Sequence, residues 1–353
     1  MGLTIRWDIT NRCNLHCKHC SAYDDLHKSS IDELTTKEIL AIMDQFSTEQ
    51  IDRIKLLGGE PLLRDDLGEI ITAAHLNNIP IGITTNGTIP FNEQLQKCIT
   101  TGMVEYITFS LDSENDMINA TLRPLDTVEI IKKNIKNINL LKQKYSLSLK
   151  VAINCIINNK NYSSIGSILE FAVQNQIDKI SFSNLVPRGR AEKLTNLIAT
   201  PSQLIQSALI IADFHQNNSS LISIEPSFAP ALIMDYVRIK HKKAFPLTTY
   251  HCRAATELCY INETGNLYPC ESIKSKYMIN DNNILEHSFR EIWNSAEFND
   301  IFQDIESGKQ YNSELCKQCK YCFKTCYPCL NWSMKTKICE KIVYEIPNIF
   351  EVI

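Results

Sequence analysis

The stretch CNLHCKHC, residues 13–20, contains three cysteines separated by three and then two residues. A metal site closed by protein side chains alone normally takes four ligands. Thiolates at this spacing on one tight loop can bind three corners of a cubane iron–sulfur cluster and leave one iron open. Zinc can also use three thiolates, but its sites usually close with paired cysteines and a fourth ligand. The stretch therefore favours an iron–sulfur cluster with an open coordination position.

Composition restricts the class of protein. The chain has 353 residues, which is long enough for two domains with sizeable hydrophobic cores. Hydrophobic residues make up 44% and charged residues 22%, as is typical of a folded globular protein. The formal charge of −4 is unlike that of a general polyanion binder, so we predict no nucleic-acid partner.

Fourteen cysteines are the unusual feature of this composition. The N-terminus lacks the apolar core and cleavage site of a secretory signal, and no apolar run is long enough to span a bilayer. We therefore predict a cytoplasmic protein without a membrane partner. In a reducing compartment, metal coordination explains so many thiols better than disulfides do.

Residues 1–190 alternate short β-branched apolar runs with longer amphipathic segments, which is the pattern of repeated βα units. Thr35 or Thr36, Asp65 and Asp126 stand where they could cap three of the intervening helices. Six such units predict an α/β fold with a partial (β/α)6 TIM-like barrel. The predicted strands are 4–10, 53–59, 79–87, 104–112, 148–157 and 179–187.

The remaining chain divides by composition. Residues 191–245 are predicted to form a connecting helical module, which reads as a helix, a strand and a second helix. Residues 246–345 are predicted to form a small cysteine-rich domain with a β-hairpin that turns near Gly265. Residues 346–353 are predicted to be a C-terminal tail.

Polar or glycine-rich motifs follow the first four predicted strands. The three-cysteine stretch follows the first strand, GGEP (58–61) the second and TTNG (84–87) the third, while SLD (110–112) ends the fourth. In α/β barrels and sheets, ligands bind beyond the carboxyl ends of the strands. The four motifs are therefore predicted to face one barrel mouth.

These motifs, in this order, resemble the radical S-adenosylmethionine (SAM) superfamily, whose three-cysteine loop has the same spacing after the first strand of a partial barrel. The resemblance covers residues 4–190. It implies that Cys13, Cys17 and Cys20 hold a [4Fe-4S] cluster and that SAM binds the fourth iron through its amino and carboxylate groups. The reduced cluster would pass one electron to SAM and so release a 5′-deoxyadenosyl radical. A flavodoxin or ferredoxin is the electron donor that this chemistry implies.

The resemblance also implies contacts with SAM. Gly58 and Gly59 would let the backbone approach the methionine moiety, and Glu60 or nearby carbonyls would accept a hydrogen bond from its ammonium group. The SLD motif, with Ser110 and Asp112, would place a hydroxyl against the ribose or the carboxylate of SAM. These residues are expected to line the SAM site at the ends of the second and fourth strands.

Four further residues are candidate SAM contacts, each with a plainer alternative. Arg123 resembles the arginine that meets the SAM carboxylate, but it can also be a solvated loop residue. His19 would pack near the adenine, or it would simply be exposed. Thr85 and Asn86 would form the pocket floor, or would only belong to a capped turn after the third strand.

Nine cysteines lie in the C-terminal third, and eight would ligate two auxiliary [4Fe-4S] clusters. Their arrangement resembles the SPASM domain, although the spacing after Cys319 is shorter than the usual pattern. By resemblance the first cluster takes Cys252, Cys259, Cys270 and Cys326. The second takes Cys316, Cys319, Cys322 and Cys339, while Cys329 is left over and could exchange with Cys322 or Cys339. A zinc ribbon built from C-x2-C pairs is the alternative.

Three further residues are considered for a role in the chemistry. Cys98 is expected to be a small buried hydrophobe. Cys155 on the fifth strand is either another such residue or a thiol that points into the barrel and donates a hydrogen atom to a substrate radical. Glu271, next to Cys270, resembles the acidic base of sulfatase-maturing relatives, and its alternative is a surface position.

The leading functional hypothesis follows from the SPASM resemblance. It is an enzyme that abstracts a hydrogen atom from a residue of a peptide or protein, as a maturase that cross-links, oxidises or epimerises a ribosomally made peptide. A separate peptide-recognition protein is a further expected partner. The alternatives are an anaerobic sulfatase-maturing enzyme that makes formylglycine, a radical SAM dehydrogenase of a small molecule, and a non-enzymatic zinc-binding interaction module.

Overall fold

The computed structural model describes residues 2–20, 33–228, 230–243, 252–272, 279–307, 314–315, 319–320 and 336–352. Within these ranges, nine strands form one sheet in the order β7-β6-β5-β4-β3-β2-β1-β8-β9. All six strands predicted for the barrel are present, as β1 to β6. The strands are β1 (Leu3–Asp8), β2 (Ile51–Leu57), β3 (Ile81–Thr85), β4 (Val104–Ser110), β5 (Lys150–Ile157), β6 (Lys179–Asn184), β7 (Ser223–Pro226), β8 (Leu258–Ile261) and β9 (Leu267–Tyr268).

Helices connect these strands and cover one face of the sheet. The helices are α1 (Thr36–Phe46), α2 (Leu67–Leu76), α3 (Glu93–Thr100), α4 (Asp116–Asn119), α5 (Val128–Lys144), α6 (Ile165–Gln174), α7 (Pro201–Asn218), α8 (Ala231–Lys240), α9 (Phe289–Trp293), α10 (Ala296–Ser307), α11 (Ile338–Glu345) and α12 (Ile349–Val352). Over the described ranges, no helix is both long and apolar enough to cross a lipid bilayer.

Strands β1 to β7 are parallel, which confirms the partial barrel. Strand β7 pairs with β6, so the segment 191–245 adds a strand to the barrel sheet as well as helices. Strand β8 pairs in parallel with β1 and antiparallel with β9, which confirms the hairpin around Gly265. The C-terminal region thereby covers the edge of β1. The domain boundaries at 190, 245 and 345 stay a prediction.

The two faces of each strand differ in chemistry because successive side chains alternate. Ile5 and Trp7 of β1 are fully buried beneath the helices, where the Trp7 ring meets the edge of Phe46 of α1 at 6.0 Å. Burying a side chain of this size contributes about 1.5–3 kcal/mol. Arg6, between them, faces the inside of the barrel, where it lines a cavity of about 940 Å³.

One of the three predicted helix caps is confirmed. The Thr35 hydroxyl accepts the Glu38 N–H at 3.3 Å, and the Glu38 carboxylate accepts the Thr35 N–H at 2.7 Å, which completes a capping box on α1. The prediction for Asp65 is wrong because α2 begins after Asp66. The Asp66 carboxylate makes no capping bond and instead accepts a hydrogen bond from Arg64 at 2.6 Å.

The cap predicted from Asp126 is also wrong. Asp126 has a left-handed backbone with φ of 59°, and its own N–H donates to the carboxylate of Asp116 at 2.7 Å. The other carboxylate oxygen of Asp116 accepts the N–H groups of Thr127 and Val128, both at 3.2 Å. The start of α5 is therefore satisfied by a residue that lies twelve positions before Val128, the first residue of the helix.

We expect Asp116→Ala to lower the free energy of unfolding by about 1 kcal/mol, because three N–H groups at the start of α5 lose their acceptor. Urea denaturation followed by circular dichroism measures this loss. Asp126→Asn is the matched control. Asparagine tolerates the left-handed backbone at this position, and the Asp126 side chain makes no capping bond that the substitution could remove. Equal losses in the two variants would contradict the assignment of the cap to Asp116.

Candidate active site at the barrel mouth

The three-cysteine loop follows β1 directly, as the sequence predicts, and its thiols lie half-buried at the barrel mouth. Burial, together with the nearby Cys20 and Cys13 thiols, raises the pKa of the Cys17 thiol to about 11, against the opposing effect of Arg123. Thiols that share one loop and disfavour each other's ionisation become thiolates when a metal supplies positive charge.

Backbone hydrogen bonds hold this loop to the rest of the mouth. The Lys18 N–H donates to the Leu122 carbonyl at 2.7 Å. Arg190, after β6, donates from its guanidinium to the Cys17 carbonyl and from its backbone N–H to the Cys20 carbonyl, each at 3.2 Å. Sequence reasoning missed Arg190 because nothing in its local sequence separates it from a surface arginine.

The donor set suits an iron–sulfur cluster, because three thiols share one loop and thiolates are the ligands of such clusters. Cys13 Sγ also accepts the Leu15 N–H at 3.4 Å, the kind of bond to sulfur that tunes iron–sulfur clusters. Cys13, Cys17 and Cys20 would therefore hold the cluster.

The two glycines of GGEP meet the chain's own backbone. A Cβ atom on Gly58, whose φ is +137°, would lie 2.3 Å from the Thr10 carbonyl oxygen, and one on Gly59 would lie 2.2 Å from the Arg12 carbonyl oxygen. The Gly59 N–H donates to the Thr10 carbonyl at 2.8 Å. The observed close approach is therefore to the start of the cysteine loop, while contact with SAM stays a proposal.

Glu60 joins the ends of β2 and β3. Its fully buried carboxylate accepts the Thr85 hydroxyl at 2.8 Å and the Asn86 N–H at 2.7 Å. Burial raises the pKa of Glu60 to about 7, although these donors oppose the shift. The Asn86 amide in turn lies 3.9 Å from Cys13 Sγ. Glu60, Thr85 and Asn86 thus form one hydrogen-bonded network beside the cysteine loop, while their contact with SAM stays a proposal.

The SLD motif ends β4 beside Arg123. Arg123 Nε donates to the Asp112 carboxylate at 2.8 Å, and the same carboxylate accepts the Ile156 N–H at 2.8 Å. Both partners of this ion pair are buried, so Arg123 is not a solvated loop residue. Ser110 is half-buried at the end of β4, on the face that lines the barrel. Contact of these residues with SAM stays a proposal.

His19 is held against the loop that carries Arg123. One ring nitrogen lies 3.2 Å from the Leu122 carbonyl oxygen. Burial, with a smaller contribution from Arg123, lowers the pKa of His19 to about 4, so the ring is neutral at pH 7. A neutral, half-buried ring suits packing better than charge pairing, which is consistent with the predicted position near the adenine.

The structure contradicts the prediction that Cys155 points into the barrel. Its fully buried thiol belongs to the core on the helix side of β5, together with Ile153 and Ile157. Ala152 and Asn154, on the opposite face of the same strand, line the cavity instead. The cause is strand alternation, which places odd-numbered residues of β5 beneath the helices. Cys98, as expected, is also buried in the core.

The C-terminal cysteines are described only in part. Cys252 and Cys270 both pack against the small apolar cluster of Ala254, Ile301 and Ile305. The Ser272 N–H donates to Cys270 Sγ at 3.4 Å, the same bond that Leu15 makes to Cys13. Cys259 is fully buried on β8 opposite Ile5. Cys319 and Cys339 are half-buried, while Cys316, Cys322, Cys326 and Cys329 lie outside the described residues.

Glu271 is tied to the first barrel strand. Its carboxylate lies 3.0 Å from the guanidinium of Arg6, so it is neither a loose surface residue nor remote from the barrel interior. Its role as a base stays a proposal. Nearby, Asp8 accepts the Tyr260 hydroxyl at 2.6 Å across the β1–β8 pair. Sequence reasoning missed Asp8 because the pairing of β8 with β1 has no local signal.

Comparison with known proteins agrees with these features. A family model described as "Radical SAM superfamily" matches residues 7–172, and the SPASM model, "Iron-sulfur cluster-binding domain", matches residues 252–320. The AdoMet-dependent heme synthase of Oleidesulfovibrio alaskensis is 25% identical over 331 residues, 90% of this chain and 80% of that protein. The PqqA peptide cyclase of Bradyrhizobium diazoefficiens is 22% identical over 323 residues, 90% of this chain and 79% of that protein.

Solved structures of Streptococcus suis SuiB share the fold. SuiB bound to S-adenosylmethionine superposes with a TM-score of 0.71, covering 91% of this chain and 71% of SuiB, at 17% identity. SuiB bound to its precursor peptide SuiA gives a TM-score of 0.70, covering 91% of this chain and 70% of SuiB, also at 17% identity.

The thiol loop at the barrel mouth and the cysteine-rich C-terminal region define an iron–sulfur enzyme built on a partial barrel. The chain contains a radical SAM domain over residues 7–172 and a SPASM domain over residues 252–320. Its cofactors are SAM, the [4Fe-4S] cluster that binds SAM, and auxiliary [4Fe-4S] clusters, as the sequence predicts. These domains show an enzyme and set aside the non-enzymatic zinc module.

We expect Gly59→Ala to displace the cysteine loop, because the new Cβ would lie 2.2 Å from the Arg12 carbonyl oxygen. Iron and sulfide analysis of the anaerobically purified protein should show loss of about one cubane per chain. Gly166→Ala on α6 is the control, since its Cβ would meet only Ile210 at an ordinary 3.6 Å. Full iron loading of Gly59→Ala would show that the close approach does not position the loop.

The buried carboxyl group of Asp8 is expected to make the stability of the protein depend on pH. Burial raises the pKa of Asp8 to about 7, although the Tyr260 hydroxyl opposes the shift. Folded Asp8 therefore keeps its proton at pH values where the unfolded chain has lost it, and its stabilising contribution disappears as pH rises through about 7. We expect Asp8→Asn to gain on the order of 1 kcal/mol relative to wild type between pH 5 and pH 8.

Anaerobic urea denaturation at pH 5, 6, 7 and 8 measures this difference. Asp52→Asn on β2 is the control, because the Asp52 side chain is exposed and its substitution should shift stability equally at each pH. A difference between Asp8→Asn and wild type that stays constant from pH 5 to pH 8 would contradict the prediction.

Proposed function

We propose that this enzyme abstracts a hydrogen atom from a residue of a peptide or protein and acts as a maturase of a ribosomally synthesised peptide in the cytoplasm. The observation that carries the proposal is the similarity to a peptide cyclase over 90% of this chain. When bound, SAM and its cluster supply a 5′-deoxyadenosyl radical. The chain's own residues position that reagent and exclude water from it.

The barrel geometry supports a substrate larger than one side chain. The cavity of about 940 Å³ runs inside the sheet, from Leu57 and Ser183 near the mouth to Lys150 and Lys179 at the far end. The Lys150 side chain is 65% exposed, so the far end is open to solvent. A cavity of this size and openness can take one segment of a chain without enclosing the whole substrate.

A small-molecule substrate is the second candidate. The similarity to AdoMet-dependent heme synthases, at 25% identity over 331 residues, favours it. The two candidates share the barrel, the SAM site and the SPASM domain, so they differ in what enters the cavity. A net oxidation suits both, since the auxiliary clusters, when bound, would supply an electron acceptor.

We expect Cys13→Ala, Cys17→Ala and Cys20→Ala, combined in one variant, to abolish formation of 5′-deoxyadenosine from SAM and dithionite, because these three thiols are the ones that would hold the cluster. Anaerobic chromatography measures the product. Cys98→Ala is the control for removing a thiol, since Cys98 is buried in the core away from the mouth. Persistence of 5′-deoxyadenosine in the triple variant would refute the cluster site.

The substrate class is tested separately. Anaerobic incubation of the wild-type enzyme with peptides encoded beside its gene should lower the mass of one peptide by two hydrogen atoms for a cross-link. For epimerisation the mass stays the same and deuterium is taken up from heavy water. If no peptide changes while 5′-deoxyadenosine forms normally, the peptide proposal fails and the small-molecule candidate takes its place.

A further inference from the structure

One layer of side chains crosses the inside of the barrel below the mouth. Register places Arg6 of β1 beside Lys55 of β2, Lys55 beside Gly82 of β3, and Gly82 beside Tyr106 of β4. Because Gly82 has no side chain, the Tyr106 ring lies across it, 2.0 Å from where a Cβ would be. The ring thereby approaches Lys55, whose Nζ lies 5.7 Å from the ring centroid. We use the term donor layer for Arg6, Lys55 and Tyr106.

Lys55 stands out from the other basic residues of this cavity. Five Lys and Arg side chains line it, and within the described part of the chain Lys55 alone has no carboxylate at ion-pair distance. Each of the others has one. The pairs are Arg6 with Glu271, Arg53 with Glu105, Lys150 with Asp178, and Lys179 with Glu225.

Two further donors of the layer lack acceptors. Arg6 Nε and Tyr106 Oη are both buried and have no hydrogen-bond partner among the described residues. Buried donors without acceptors are rare in folded proteins and call for an explanation. Burial, with smaller effects from Arg6 and Lys179, lowers the pKa of Lys55 to about 8, although the Glu225 carboxylate, which pairs with Lys179, opposes the shift. An anion in direct contact with Lys55 would stabilise its charged form.

We propose that the donor layer binds a carboxylate group of the substrate, with Lys55 Nζ as its direct partner. A carboxylate offers a negative charge to Lys55, which has no ion-pair partner among the described residues, and two acceptor oxygens to the unsatisfied Arg6 Nε and Tyr106 Oη. Lys55 lies three residues before Gly58, about 10 Å along the extended chain. A carboxylate held there leaves the adjoining part of the substrate directed at the mouth where SAM binds.

This inference deepens the proposed function, since it names a chemical group of the substrate. The carboxylate has two sources: an acidic residue of a peptide, or a small dicarboxylic molecule. Two probes distinguish them, N-acetylglutamate amide for the peptide source and glutarate for the free acid. N-acetylglutamine amide, which has the same shape without the charge, is the matched neutral probe.

The experiment measures acylation of Lys55 in the anaerobic holoenzyme at pH 8, followed by peptide mass spectrometry. We expect at least one carboxylate probe to slow acylation of Lys55 about tenfold, while the neutral probe does not and Lys150 reacts equally with and without the probes. Whichever carboxylate protects better assigns the source. Equal acylation of Lys55 with all probes overturns the proposal.

Calorimetry with variants provides an independent measurement. The protecting probe should bind Lys55→Met about tenfold more weakly than wild type, and it should bind Lys150→Met, altered in the same cavity at a paired lysine, as wild type does. Equal affinity of wild type and Lys55→Met overturns the assignment. Neither measurement needs turnover. Failure of the peptide proposal can therefore be told apart from failure of the carboxylate site.

Discussion

The contact between the end of β2 and the start of the cysteine loop is the constraint on which the site depends. Gly59 and Glu60 donate their N–H groups to the carbonyls of Thr10 and Arg12, at 2.8 and 2.7 Å. Side chains at positions 58 and 59 would not fit between these backbones. The loop that carries the thiols is therefore held by main-chain bonds, whose geometry does not depend on flexible side chains.

The other mouth residues extend this arrangement by a chain of polar contacts. Glu60 accepts from Thr85 and Asn86, and Asn86 reaches Cys13 Sγ. Buried carboxylates are stable only when donors satisfy them, so the position of each residue restrains the next. The rigidity that results suits a site that must keep a reactive radical in one orientation and away from water.

Below the mouth, strand alternation separates two environments. One face of each strand packs against the helices, with residues such as Trp7 and Cys155 fully buried. The other face lines a polar cavity in which, within the described residues, every Lys and Arg except Lys55 has a carboxylate at ion-pair distance. Substrate selection is therefore expected to depend on the cavity face, while the shared chemistry depends on the mouth.

Sequence alone determined much of this protein. Cysteine spacing, glycine placement and β-branched periodicity are local signals, so they predict the cluster loop, the six barrel strands and the hairpin at Gly265. Only the tertiary structure decided which residues meet across the chain: Asp116 at the start of α5, Arg190 at the cysteine loop, and β8 beside β1. It also decided that Cys155 faces the helices and that Lys55 has no carboxylate at ion-pair distance among the described residues. These outcomes depend on strand register and on contacts between distant segments, for which a single sequence carries no local signal.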